Sequence, residues 1–228
     1  MGRLNAFVKL DFLTAKPGFS SHATLIYAVL LIIITVFSRN IIVAVFQLMA
    51  FANNFAVMPF SVGEARNMDA LYPTLNIDRK TVVKGRYIYV LTILTLGVAG
   101  ALLVAWGGLH LENALGTNLH SRAALGSIAA FTLMTILNIA TQLPLHFKLG
   151  LAKSGAWTSI PNIVLMLIPL FLFSMFYTER ISEWISGLLA NPSLLWIGVT
   201  GIVLVLTAVV YVSYRLSVRF YVSTKREF

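Results

Sequence analysis

Six long stretches of this chain contain no Asp, Glu, Lys or Arg: 17–38, 40–63, 87–109, 123–147, 154–178 and 184–214. Each is at least 22 residues long, and about 20 apolar residues in a helix cross the roughly 30 Å of a bilayer's hydrocarbon. Backbone N–H and C=O groups find no water in that layer, so only helices and closed barrels cross it. Barrel strands alternate apolar and polar residues over segments of about ten. These runs are continuous, which points to helices. The fold class that follows is an all-α polytopic membrane protein with six transmembrane helices.

The remaining composition leaves no room for a second, soluble domain. Hydrophobic residues make up 58% of the 228 and charged residues 11%, against about 25% charged in a typical soluble domain. Residues 1–228 therefore read as a single transmembrane domain. Cysteine is absent, which excludes a disulfide framework and thiolate metal sites. The first 16 residues carry Arg3, Lys9, Asp11 and Lys16 and lead straight into a long span with no A-x-A-like cleavage site. The first span is expected to act as an uncleaved anchor.

Charge also sets the orientation. Six spans put both termini on one side of the membrane. On that side lie Arg3, Lys9 and Lys16, the loop residues Arg66, Arg79, Lys80, Lys84 and Arg86, then Lys148 and Lys153, and finally Arg215, Arg219, Lys225 and Arg226. Only Arg39, Arg122 and Arg180 fall on the other. A split of 14 to 3 predicts both termini in the cytoplasm, by the enrichment of Lys and Arg in cytoplasmic loops. The net charge of +9 is thus a topology signal, and no nucleic-acid partner is expected.

Along the chain, residues 1–18 are expected to form a cytoplasmic interfacial helix. Leu4, Phe7, Val8 and Phe12 recur at i, i+3, i+4 and i+8, with Arg3, Asn5, Lys9 and Asp11 as the polar component, the pattern of a helix lying on a membrane surface against lipid headgroups. Spans 1 and 2 (19–62) form a hairpin through the Ser38-Arg39-Asn40 turn. In the cytoplasmic segment 63–86, Ser61-Val62-Gly63-Glu64 has the capping-box pattern, so a short helix is predicted to open there and run to about Leu71, before Tyr72-Pro73. Spans 3 and 4 cover 87–145, and the glycines of span 3 (Gly97, Gly100, Gly107, Gly108) allow close helix approach. A cytoplasmic loop (146–155) leads to span 5 (156–177), with Pro161 and Pro169 as predicted kinks. Ile181, Trp184, Ile185, Leu188 and Leu189 predict a short amphipathic, interfacial or re-entrant helix within the outer segment 178–192. Span 6 (193–214) and a cytoplasmic tail (215–228) complete the chain.

The residues carry no enzymatic constellation. There is no H-E-x-x-H, no pair of intramembrane carboxylates and no G-x-x-x-x-G-K-[ST] loop, so no ATP site of the P-loop type and no catalytic or metal-binding set is expected in this chain. His22, His110, His120 and His146 sit at predicted span ends or in loops. The spans hold no acidic or basic residue, whereas ion-coupled carriers bury at least one as a ligand or proton relay. Their polar residues are neutral, notably Gln47, Asn53 and Asn54 in span 2 and Asn138, Thr141 and Gln142 in span 4. They read either as a substrate path between these spans or as interhelical hydrogen bonds, worth about 0.6–2 kcal/mol each.

The string Tyr72-Pro73-Thr74-Leu75-Asn76-Ile77-Asp78-Arg79-Lys80-Thr81-Val82-Val83-Lys84-Gly85-Arg86-Tyr87, with Glu64 before it, resembles type-2 ABC transporter permeases. It is similar to a small bacterial subgroup that includes peptide exporters such as the phenol-soluble modulin exporter. Tyr72 stands where that subgroup has leucine. The resemblance implies a half-transporter in a bacterial cytoplasmic membrane: two permease subunits, identical or sisters, pair, and two separate ATPase subunits carry ATP and Mg. The helix after span 2 would couple to the ATPase through Glu64, Arg66, Asn67 and Asp69, with Arg79, Lys80 and Arg86 fixing the loop against the ATPase or anionic lipid. Spans 2 and 5 would line a path for exported hydrophobic or amphipathic substrates, whether peptide, lipid or drug. The competing readings are an ATP-independent carrier or channel, a non-transport scaffold or immunity protein, and a membrane enzyme.

Overall fold

The computed structural model describes residues 2–15, 39–66, 77–115, 121–150 and 192–224, with isolated positions at 26, 29, 32–33, 68, 72, 74 and 153–154. Five long helices run through these residues: α1 (Gly2–Ala15), α2 (Ile41–Ala65), α3 (Arg79–Leu115), α4 (Ser121–Leu149) and α5 (Pro192–Thr224). Helices α2 to α5 are each long and apolar enough to cross a membrane and match predicted spans 2, 3, 4 and 6. Predicted span 5 and the outer helix at 180–189 lie outside the described residues. So does most of span 1, of which positions 26, 29, 32 and 33 are helical and exposed.

Helix α2 starts where the sequence places the hairpin turn. Arg39 takes φ 48°, a left-handed conformation uncommon for a residue with a side chain. Asn40 then caps the helix, its Oδ1 accepting the Ile42 N–H at 2.9 Å, which satisfies one of the orphan donors of the first turn.

The other end of α2 corrects the predicted capping box. Ser61, Val62, Gly63 and Glu64 belong to the last turns of α2, which continues to Ala65. Its end comes at Arg66, whose N–H bonds the Val62 carbonyl at 3.0 Å. Gly63 does not break the helix: it is buried, and a Cβ there would lie 3.0 Å from the Arg86 Nη2. The glycine makes room for a guanidinium, a requirement that the local sequence pattern does not display.

Two compact units emerge: Met1–Thr135 with Val218–Phe228, and Ile136–Ser217. In the first, α2 and α3 pack together and α1 lies against both. The core joins Ile41, Val45 and Met49 of α2 to Ala101 and Ala105 of α3 and to Ala124 and Ile128 of α4. Each set repeats at i+4, so each helix contributes one stripe. The α3 and α4 stripes include alanines, which let backbones approach closely in lipid. At Gly97 of α3 a Cβ would sit 2.7 Å from the Ala52 Cβ, so this glycine serves the close approach expected of span 3. Gly100 and Gly107 face open space.

Both units contain a proline inside a membrane helix, Pro59 in α2 and Pro144 in α4. A proline has no N–H, so the carbonyl four residues earlier loses its helical partner. For Pro59 that carbonyl belongs to Phe55, and the Tyr89 hydroxyl of α3 donates to it at 3.1 Å. For Pro144 it belongs to Ala140, and the Ser213 hydroxyl of α5 donates to it at 2.7 Å. Neighbouring helices thus satisfy the freed backbone groups, the condition under which lipid tolerates such prolines.

Candidate functional site

The candidate site is the junction where α1 meets the end of α2 and the start of α3. Helix α3 begins at Arg79, two turns before the uncharged run, and so carries Arg79, Lys80, Lys84 and Arg86 outside that run. Helix α1 presents Phe7, Asp11 and Ala15, at i, i+4 and i+8, as its buried stripe. The Phe7 ring lies over Gly85 so closely that no side chain could replace the glycine hydrogen without displacing it. Phe7 also meets the Tyr72 ring edge-on at 5.4 Å, and Phe12 meets Tyr89 at 4.8 Å. Such edge-to-face pairs are worth about 0.5–1.5 kcal/mol beyond their area burial.

At the centre stands Arg86, only 5% exposed. Its guanidinium sits 4.1 Å above the centre of the Phe60 ring, a cation–π contact strengthened by loss of water. Its Nη2 donates to the Tyr72 hydroxyl at 3.4 Å. It also acts electrostatically on Asp11 and Tyr221. Asp11 is 2% exposed and its Oδ2 has no hydrogen-bond partner. Burial pushes its carboxyl up to about 6, against the opposing pull of the Arg86 charge. Nearby, Arg79 donates from Nη1 to the Val222 carbonyl at 3.3 Å, near the C-terminal end of α5. Residues of α1, α2, α3, α5 and the intervening segment therefore meet around one buried cation.

This arrangement suits a mechanical joint. Among the described residues no group of three or more His, Cys, Asp or Glu could hold a metal. Around the joint, the predicted docking residues divide. Glu64 and Arg66, at the end of α2, are exposed, as is Lys80. Arg79 is half-buried, and Arg86 is the internal anchor just described. Asn67 and Asp69 lie outside the described residues. The amides of the predicted path also divide: Gln47 and Asn53 are half-buried and Asn54 is exposed on α2. In the second unit, Asn138 and Gln142 are buried one turn apart on α4, and the Gln142 Nε2 donates to the Asn138 Oδ1 at 3.1 Å.

Sequence reasoning missed three features. It assigned Asp11 to the polar component of α1, although its spacing from Phe7 and Ala15 places it on the buried stripe. It had no means of pairing Tyr72 with Arg86 across 14 residues. It placed His146 at a span end, where the structure buries the ring with its Nδ1 2.7 Å from the Ser154 hydroxyl.

No curated protein and no solved structure matches the chain. The family model of ABC-2 family transporter proteins matches residues 7–222, from the Phe7 that packs on Gly85 to the Val222 that accepts from Arg79. Members of that family work with an ATPase subunit. That match covers nearly the whole chain and agrees with its long apolar helices: the chain belongs to the ABC-2 transporter family and is an ABC transporter permease.

Proposed function

We propose that the chain is the membrane half of an ATP-driven exporter that moves a hydrophobic or amphipathic substrate, a peptide, lipid or drug, across a bacterial cytoplasmic membrane. Two permease subunits pair, and two ATPase subunits holding ATP and Mg dock on the face that carries both termini. The observation that carries this reading is the division of charge at the junction. Arg86 is spent inside, holding α1, the end of α2 and Tyr72 together, while Glu64, Arg66 and Lys80 are left exposed around the same joint. A surface of mixed charge suits a protein partner, since complementary charges set register and steer encounter.

In this mechanism ATP binding closes the ATPase pair and moves the segment after α2. Because Arg86 and Phe7 tie that segment to α1 and α3, the displacement reaches the membrane helices as a rigid tilt and does not dissipate in a loose loop. Spans 2 and 5 of facing subunits line the path. Gln47, Asn53 and Asn54 on one, with Asn138 and Gln142 of span 4, supply its polar groups. The absence of acidic and basic residues from the spans favours an energy source in another chain over ion coupling.

Reconstitution tests the proposal. The chain and its ATPase are placed in proteoliposomes with a fluorescent amphipathic peptide, and ATP-dependent movement of the peptide is followed. Movement that requires ATP, and that falls when Glu64→Lys and Arg66→Glu are introduced together, is expected. Movement by the chain alone, without ATP, would favour the carrier reading instead.

A further inference from the structure

Beside the buried stripe of α1 lies an open groove of about 430 Å³, lined by Asn5, Val8, Lys9 and Phe12 of α1 and by Ile88 of α3. The volume falls in the roughly 300–1,000 Å³ range of small-molecule sites. The four α1 residues recur at i, i+3, i+4 and i+7 and so share one stripe. Val8, Phe12 and Ile88 form an apolar wall. Lys9 and Asn5, both exposed, form the polar rim. Lys84 precedes Ile88 by one turn on the same side of α3 and is exposed. No carboxylate lines the groove, and Asp11, the acid of α1, is turned into the core.

Beyond Ile88 the same side of α3 runs on into its membrane-crossing part. Lys84, Ile88, Leu91 and Leu102 share one side of α3, and Leu91 and Leu102 are each 47% exposed. A cationic, hydrogen-bonding rim is therefore followed by a largely apolar track along a membrane-crossing helix, interrupted by Thr95, whose hydroxyl donates to its own helix at the Leu91 carbonyl at 2.8 Å. A soluble anion would use the rim and leave the track bare, whereas a phospholipid matches both.

We infer that this groove binds one anionic phospholipid, its phosphate held by Lys9, Asn5 and Lys84 and an acyl chain laid against Val8, Phe12 and Ile88. Interfacial lysines gain from anionic headgroups, and the fixed position of α1, locked through Phe7 on Gly85, keeps the rim and the track in register. The lipid would wedge α1 against α3 independently of which ATPase or substrate serves the permease.

Native mass spectrometry of the full chain, released from detergent with phosphatidylglycerol or phosphatidylcholine of matched chains, tests the site. One phosphatidylglycerol should persist at energies that strip phosphatidylcholine. K9A with K84A should weaken its binding by on the order of 20-fold, from about fivefold per lysine. Both lysines are exposed, so the fold is not at stake. I88W should fill the groove and abolish retention. Equal retention of the two lipids, phosphatidylglycerol binding unchanged in K9A/K84A or in I88W, or full displacement by inorganic phosphate would each overturn the inference.

Discussion

Replacing Tyr89 by Phe removes one hydroxyl and leaves the ring that packs on Phe12 in place. The consequence falls on the Phe55 carbonyl, which Pro59 has already deprived of its helical donor and which Tyr89 reaches at 3.1 Å. An unsatisfied buried polar group costs about 1–3 kcal/mol. Membrane hydrogen bonds fall toward the lower end, because the unfolded reference state also finds partners. Y89F should therefore cost about 1–2 kcal/mol. The proline makes this assignment testable, since P59A restores an N–H at residue 59 that can bond the same carbonyl. In the P59A background Y89F should cost little, giving a coupling of about 1 kcal/mol or more in a double-mutant cycle. Reversible unfolding of the four proteins in one detergent, followed by circular dichroism, measures it. Additive effects of the two substitutions would refute the claim that Tyr89 acts by serving the carbonyl freed by Pro59.

Further predictions concern the joint. Arg86→Met leaves Asp11 buried without its countercharge and should destabilise the protein by about 3–5 kcal/mol, whereas Arg86→Met with Asp11→Leu should recover most of that loss; unfolding of the single and double variants decides. Because burial raises the Asp11 carboxyl from 3.8 to about 6, the folded state holds this proton more tightly than the unfolded chain. Stability should be greatest below about pH 4 and fall as pH rises through about 6, by up to about 3 kcal/mol. Asp11 faces Arg86 and Tyr89 from α3, and neither loses or gains a proton in that window. Hydrogen exchange of α1 amides between pH 4 and 8 should show the loss, and Asp11→Asn should flatten it.

The four membrane helices among the described residues were legible in the sequence because hydrocarbon imposes a length and a polarity that few other environments do. Runs 40–63, 87–109 and 123–147 lie within or closely overlap α2, α3 and α4. Their true ends were less legible. Helix α3 reaches back to Arg79 and α5 on to Thr224, since a helix need not stop where lipid does. The capping-box pattern at Ser61 failed for a related reason. Local capping signals act when a chain is free to begin a helix, and here α2 was still running, held by Gly63 against a guanidinium from another helix. Arg86 itself was read as a surface cation, in keeping with the many arginines that flank membrane spans. Its burial depends on Phe60, Tyr72 and Asp11, partners that come from separate parts of the sequence and that no single periodicity brings together.

The same logic explains the two proline pairs. The kinks expected from the sequence were at Pro161 and Pro169, outside the described residues; Pro59 and Pro144 carried no such expectation, and the hydroxyls that relieve them, on Tyr89 and Ser213, stand 30 and 69 residues away. What the sequence does not reveal is the helix neighbour. Once the packing is known, the chemistry of each position is simple: a missing N–H, an orphan carbonyl and a hydroxyl within reach.

The most direct test of the account is co-purification. The tagged chain is extracted from its native host in mild detergent and its partners are identified by mass spectrometry. The account predicts recovery of a Walker-motif ATPase, and its loss from the E64K/R66E variant even though that variant expresses and melts like the parent. Isolation of the chain without an ATPase, or equal recovery of the ATPase by parent and variant, would contradict it.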